Sequence, residues 1–236
     1  EETGAVAARI AKGTIKKIKK VTEADIHNGL VTLLGLGGST NALIHLTAIA
    51  GRLGVQIDLK KFNQISEKVP VLVNLKPSGT NYMEDFYYAG AMKAFLKEVS
   101  PFLKKGTTTI EGKLLSNVIK ENTKSFHDTE IIRTRKKPFE AKGGLVSLFG
   151  NICPKGAILK RSAADKSLFE TTGKAFVFDD IKEMAKLVDS PKLKISKNDI
   201  LVLKNIGPIT SYGMPEAGYL PIPKKLLKKG VKDMIR

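Results

Sequence analysis

Glu216 is the residue of this sequence best framed for chemistry. It lies in SYGMPEAGYLPIPKKLL, Ser211 to Leu227, a stretch marked by Pro208, Pro215, Pro221 and Pro223 and by Gly207, Gly213 and Gly218. Proline fixes φ and removes a backbone donor, whereas glycine admits angles that a Cβ forbids. A carboxylate in so stiffened a loop is suited to being aimed at a fixed target; a proline-rich connector with an incidental Glu is the other reading. A second constellation is GLGGSTNALIH, Gly35 to His45, where small and hydroxylated residues run into a helix. Backbone N–H groups at a helix start, with the Ser39 and Thr40 hydroxyls, form an anion site. The same residues also suit a tight turn with an ordinary Ser/Thr cap. They are no dinucleotide fingerprint, because the position that would need Gly is Thr40.

Other chemistry-bearing residues read more plainly. Pro77-Ser78-Gly79 is a turn that could line a pocket. Glu84 and Asp85 are adjacent, so on a helix they point apart and serve as first-turn acids rather than a chelating pair. His45, between Ile44 and Leu46, reads as a packing residue, and His27 and His127 show no partner signals. Cys153 reads as a small buried hydrophobe. As the one cysteine, with no Cys/His cluster about it, it excludes an internal disulfide and a self-contained zinc site.

The elements that must position these residues fall into two halves. Up to about Lys105 the pattern is mainly helical. Thr22 caps TEADIHNGLVTLL, with Asp25 in the first turn, and Asn41 to Leu53 follows a Ser-Thr start with helical apolar spacing. Asp58 opens LKKFNQISEKV, which Pro70 ends, and Met83 to Val99 reads as one amphipathic helix closed by Ser100-Pro101. Beyond Gly143, short apolar runs punctuated by Gly and Pro (LVSLFG, AILK, AFVFD, DILVLKNIG) read as strands, with a helix in DDIKEMAKLVDS. The change of character places a domain change between 105 and 140.

Composition bounds the partners. Hydrophobic residues make up 42% and charged residues 27%, enough apolar material for a core. No apolar run has the length of a membrane helix and no signal peptide is visible, so a cytoplasmic protein without a membrane partner is expected. The net charge of +17 raises nucleic acid as a partner. Base readout favours Arg and single-strand binding favours interleaved aromatics, but the cations are overwhelmingly Lys, aromatics are 6% and Trp is absent. A basic nucleic-acid-binding protein is therefore the remote alternative, and no nucleic-acid partner is expected.

Four blocks carry a family resemblance: GLGGSTNALIHL, VPVLVNLKPSGTNYMEDFYYAG, GGLVSLFGNICPKGAILK, and GMPEAGYLPIPKKL followed by GVKDMIR. In this order they resemble the dihydroxy-acid dehydratase family, which includes 6-phosphogluconate dehydratase and the sugar-acid dehydratases. The resemblance implies an α/β fold: the end of an α/β/α N-terminal domain over 1–105, mostly helical here, a connection over 106–140, and the start of a β-barrel-like C-terminal domain over 141–236. It implies that the sequence, which begins at Glu1 without Met, is an internal fragment. It also implies Mg²⁺ and an iron–sulfur cluster, with Glu216 as one Mg²⁺ ligand and the cluster cysteines, the other metal ligands and the catalytic serine in segments outside this sequence. Gly38, Ser39, Thr40, Asn41 and Ser78 are the implied substrate-pocket residues. The implied reaction is dehydration of a 2,3-dihydroxy carboxylic acid to a 2-keto acid in a homodimer or larger assembly. The leading expectation is dihydroxy-acid dehydratase of branched-chain amino acid biosynthesis, and the alternative an arabinonate- or xylonate-type sugar-acid dehydratase. The fragment alone is not expected to be active.

Overall fold

The structure, a computed structural model, describes residues 2–14, 20–110, 112–122, 126–207 and 219–236. It divides into two compact units, 1–163 and 164–236.

In the first unit, helices α1 (Glu2–Ala11), α2 (Glu23–Gly35), α3 (Thr40–Arg52), α4 (Leu59–Ser66), α5 (Met83–Tyr88), α6 (Ala91–Val99) and α7 (Leu115–Glu121) precede a hairpin of β1 (Val146–Leu148) and β2 (Ala157–Leu159). Helix α2 begins where the sequence asks it to. Asp25 N–H donates to Thr22 Oγ1 at 3.4 Å and Thr22 N–H to Asp25 Oδ2 at 2.8 Å, a reciprocal capping box. Its Ile26, Leu30, Val31, Leu33 and Leu34 are all buried, which makes α2 the central helix of the core. Ser39 caps α3 and Asp58 caps α4, as the sequence predicts. Phe62, Val69, Leu72, Phe95, Val99, Ile132 and Leu145 complete the apolar interior around α2.

The helix expected over 83–99 is instead α5 and α6, broken at Gly90. There φ is +112°, a left-handed value that glycine adopts without strain, and an added Cβ would overlap the Phe126 carbonyl oxygen. The apolar periodicity runs straight through the break, so spacing alone does not reveal it.

A buried extended run, Val69 to Leu75, threads the unit without forming a regular strand. Leu72 N–H donates to Gly35 O at 2.8 Å, Arg133 N–H to Leu72 O at 2.7 Å, and Asn74 N–H to Ile131 O at 3.0 Å. Isolated bridges join Val71 to Glu140 and Val73 to Ile132. This run delivers the chain to the Pro77–Gly79 turn.

The hairpin packs on α4. Val146, Ser147 and Leu148 pair antiparallel with Leu159, Ile158 and Ala157. Asn63 Nδ2 donates to Ser147 O and Ser147 N–H donates to Asn63 Oδ1, both at 2.8 Å, while the Ser147 hydroxyl donates to Leu59 O at 2.8 Å. The Ser66 hydroxyl donates to Leu145 O at 2.5 Å. Polar groups this deeply buried need such partners.

In the second unit, β3 (Ala175–Phe178) and β4 (Ile200–Leu203) pair in parallel, with Ala175 opposite Ile200 and Phe178 opposite Leu203. The crossover contains α8 (Ile181–Leu187), whose cap Asp180 accepts from Lys182 and Glu183 N–H at 2.7 and 2.8 Å. The core joins Phe178, Met184 and Leu201 to Leu220, Ile222 and Leu226, the last in α9 (Lys224–Leu227). The α/β class holds, but the barrel-like architecture is corrected. Strands among the described residues form two separate two-stranded sheets, one antiparallel and one parallel, and strands so few and so short close no barrel.

Candidate functional site

The glycine-rich turn between α2 and α3 spends part of its backbone on ending α2. Leu36 N–H donates to Thr32 O, Gly37 N–H to Leu34 O and Gly38 N–H to Leu33 O, at 3.0, 3.2 and 2.9 Å. These bonds satisfy the last carbonyls of the helix, and φ of +63° at Gly37 makes the reversal possible. Gly37 and Gly38 N–H groups are thus withdrawn from the anion site that the sequence offers. What remains is at the start of α3. Asn41 N–H donates to Ser39 Oγ at 3.2 Å and Ala42 N–H to Ser39 O at 3.1 Å. The N–H groups of Ser39 and Thr40 find no acceptor among the described residues. Asn41 Oδ1 is buried there and has no hydrogen-bond partner. A buried carbonyl oxygen without a donor is costly, by roughly 1–3 kcal/mol, and a ligand hydroxyl or N–H would relieve it.

Ser78 lies in a turn tied around Asn74. Thr80 N–H donates to Asn74 Oδ1 at 2.8 Å, Asn81 Nδ2 to Asn74 O at 3.1 Å, and Gly79 N–H to Leu75 O at 2.7 Å. The Ser78 and Ser162 hydroxyl oxygens are 3.4 Å apart. Ser162 N–H in turn donates to Gly144 O at 3.1 Å. An added Cβ on Gly144 would lie 2.9 Å from Ser162 Oγ and 3.1 Å from Gly37 Cα, so the absence of a side chain there lets the segments meet. The Gly35–Asn41 turn, the Pro77–Gly79 turn and the Gly143-Gly144/Arg161-Ser162 pair therefore adjoin, with Gly144 at their centre. Sequence reasoning missed Gly144 and Ser162. The doubled glycine at 143–144, inside a block already singled out, was the available signal.

Arg161 locks this arrangement from behind. Its Nε and one terminal nitrogen donate to Gly143 O at 3.1 and 2.9 Å, and the same terminal nitrogen to Ser66 Oγ at 3.2 Å. The other terminal nitrogen meets Glu67 Oε1 at 2.8 Å, and Lys142 Nζ meets Glu67 Oε2 at 2.5 Å. Lys142 first and Arg161 second hold the Glu67 carboxyl below its ordinary pKa. Lys160, directly after β2, is partly buried with no carboxylate partner among the described residues, and burial pushes its ammonium pKa down.

Other sequence-predicted residues fall elsewhere. Glu216 lies outside the described residues, as does the loop that carries it. The downstream flank of that loop is anchored: Leu220, Ile222 and Pro223 are buried, and Lys224 N–H donates to Asp189 Oδ1 at 2.9 Å. Asp85 serves as a first-turn acid, accepting from Tyr82 N–H at 2.7 Å. His45 is exposed rather than packed, since it lies on the outer face of α3. Cys153 is only partly buried, in the turn between β1 and β2. His27 and His127 do have partners, the carbonyls of Phe102 at 3.1 Å and Ile132 at 2.6 Å. Among the described residues no group of three or more His, Cys, Asp or Glu could hold a metal ion. They provide no complete centre for Mg²⁺ or a cluster.

Comparison with known proteins defines the class. Residues 1–118 match the family model described as dihydroxy-acid/6-phosphogluconate dehydratase N-terminal, and residues 130–236 match its C-terminal counterpart. The chain belongs to the dihydroxy-acid/6-phosphogluconate dehydratase family. It is 39% identical over 219 residues to 6-deoxy-6-sulfo-D-gluconate dehydratase of Pseudomonas putida, which covers 92% of this chain and 38% of that protein. It is 39% identical over 236 residues to L-arabinonate dehydratase of Rhizobium leguminosarum bv. trifolii, covering 99% of this chain and 40% of the relative. Dihydroxy-acid dehydratase of Caldicellulosiruptor bescii is 35% identical over 226 residues, covering 90% and 40%. The chain thus spans about two fifths of the length of these relatives. Among the described residues no helix is long and apolar enough to cross a membrane.

Proposed function

We propose that the whole protein is a hydro-lyase that removes water from a 2,3-dihydroxy carboxylic acid. The C2 proton and the C3 hydroxyl leave together as one water, and the resulting enol becomes a 2-keto acid. The observation that carries this reading is the pair of family matches, over 1–118 and 130–236, which together span nearly the whole chain. The substrate class we assign is a sugar acid. Identities of 39–40% to sulfogluconate and arabinonate or arabonate dehydratases, against 35–36% to the dihydroxy-acid dehydratases, support it. The turn cluster suits either class, since both carry a carboxylate and two hydroxyls: among the described residues the Ser39 and Thr40 N–H groups have no acceptor and suit a substrate oxygen, and the unpartnered Asn41 Oδ1 suits a substrate hydroxyl donor. Gly38 shapes that turn, and Ser78 with Ser162 forms its wall. A branched-chain dihydroxy acid is the second reading, supported by relatives that carry that name. Mg²⁺ with Glu216 among its ligands, an iron–sulfur cluster, a homodimeric or larger assembly and a cytoplasmic location belong to the same proposal.

The test is anaerobic expression of the intact protein and an assay of 2-keto acid formation from a panel of aldonic acids and from 2,3-dihydroxyisovalerate. The expected outcome is turnover of aldonic acids in preference. Preference for dihydroxyisovalerate would establish the second reading, and no turnover of either by cofactor-replete protein would overturn the hydro-lyase assignment. In the same protein, Glu216→Gln is expected to lower bound Mg²⁺ and turnover while leaving the iron–sulfur absorbance unchanged.

A further inference from the structure

We propose that the cleft between α2, α4 and the Ser100–Lys104 segment binds a small phosphorylated metabolite, at a site independent of the substrate assignment above. The cleft has a volume of about 470 Å³, within the roughly 300–1,000 Å³ typical of small-molecule sites. Its accessible floor is apolar, formed by Ile65, Pro101 and Phe102 over the fully buried core residues Val31 and Val69. Its rim is cationic, carrying Lys61, Lys68 and Lys104, and no Asp or Glu among the described residues lines it.

The lysines are not paired away. None of the three makes an ion pair among the described residues. The neighbouring acid, Glu67, is held by Lys142 and Arg161, and Asp25 is held in the Thr22 capping box. Helical spacing aligns Lys61, Gln64, Ile65 and Lys68 along α4 and the turn that follows, so both lysines and the apolar Ile65 face one side.

The opposite wall is held rigidly. His27 Nε2 bonds Phe102 O at 3.1 Å. Asn28 brackets Lys104, with Nδ2 donating to Lys104 O at 3.1 Å and Oδ1 accepting from Lys104 N–H at 2.7 Å. Thr107 Oγ1 adds a bond to Lys104 O at 3.1 Å. Two consecutive α2 side chains thus fix the backbone that presents the third lysine. Three lysines on the rim of one cleft, with no carboxylate among the described lining residues, give it a positive potential that attracts an anion. A phosphate suits the rim and a flat or aliphatic body suits the floor. A purely inorganic anion would leave the floor unused.

The experiment is calorimetric titration of the intact protein with phenyl phosphate and with inorganic phosphate at matched ionic strength, together with the His27 imidazole resonance. Phenyl phosphate is expected to bind more tightly than inorganic phosphate and to shift the His27 signal. The Lys61→Ala/Lys104→Ala double variant removes only exposed side chains and should weaken binding about tenfold, or roughly threefold per lysine. Lys228→Ala/Lys229→Ala, an equal charge loss in the other unit, should leave binding unchanged. The proposal is overturned if neither ligand moves His27, or if both double variants weaken binding alike, which would mean diffuse charge attraction. Tighter, lysine-dependent binding of polyglutamate than of phenyl phosphate would also overturn it, in favour of an acidic polypeptide.

Discussion

Glu67 couples the hairpin to α4 through charge, and its protonation has a readable consequence. Lys142 and Arg161 lower its pKa in the folded chain from the ordinary 4.5. A carboxylate whose folded pKa is depressed contributes stability that is fully present above the unfolded value and is lost as pH falls through the folded value. Unfolding midpoints of the parent and Glu67→Gln should therefore differ most near neutral pH and converge as pH falls below 4.5 and through the depressed folded value. A constant difference across that range would mean that Glu67 acts through packing and not through its charge. Because its side chain is 43% exposed, the effect is expected to be modest and to shrink in high salt. Arg161 carries the larger burden: with its side chain 19% exposed it joins Glu67, Ser66 and Gly143, and so fixes the Gly144–Ser162 contact next to the candidate pocket.

At the scale of elements, Gly90 and Gly51 should respond in opposite directions to the same substitution. Gly90→Ala places a Cβ at φ +112° and against the Phe126 carbonyl, and a loss of about 1–3 kcal/mol is expected. Gly51, near the end of α3, has nothing within 4 Å of an added Cβ, so Gly51→Ala should gain about 0.5 kcal/mol in chemical denaturation. Equal effects would show that helix propensity alone governs both sites. These elements also show what a sequence displays and what it hides. Thr22, Ser39, Asp58 and Asp180 announce their helices because capping is local chemistry between residues two or three apart. The strands at 146–148, 157–159, 175–178 and 200–203 lie where apolar runs are bounded by turn residues. The break at Gly90 was hidden because its cause, the backbone of Phe126, is distant in sequence. The pairing of Val69–Leu75 with 131–140 was hidden for the same reason. In the site, the residue types at 38–41 and 78 were legible, whereas Ser162 and Gly144 acquire meaning only when the hairpin brings them to Gly37.

For the whole molecule, the question is which piece of chain completes which core. The family models meet between residues 118 and 130, but the packing divides after Ala163. The difference is the β1–β2 hairpin, which fills the helical unit. Leu145 is fully buried there, Gly143 N–H donates to Ser66 O at 2.7 Å, and Asn63, Ser66 and Leu59 of α4 all bond to Leu145 or Ser147. Without the hairpin, Ser66, which is fully buried, would lose the acceptor of its hydroxyl and the donor to its carbonyl, and each orphaned buried group costs about 1–3 kcal/mol. Removing Leu145 would add a cavity loss of similar or larger size, about 2–5 kcal/mol. A domain of this size is stabilised by only some 5–15 kcal/mol in total, so these losses together consume most of that margin. Residues 1–163 are therefore expected to give a cooperative thermal transition by circular dichroism, whereas residues 1–140 should melt broadly at much lower temperature or bind a hydrophobic dye when cold. If 1–140 melts as sharply and as high as 1–163, the hairpin is only an accessory to the first unit. The contact of Gly144 with Ser162 would then shape the candidate pocket without supporting the helical core.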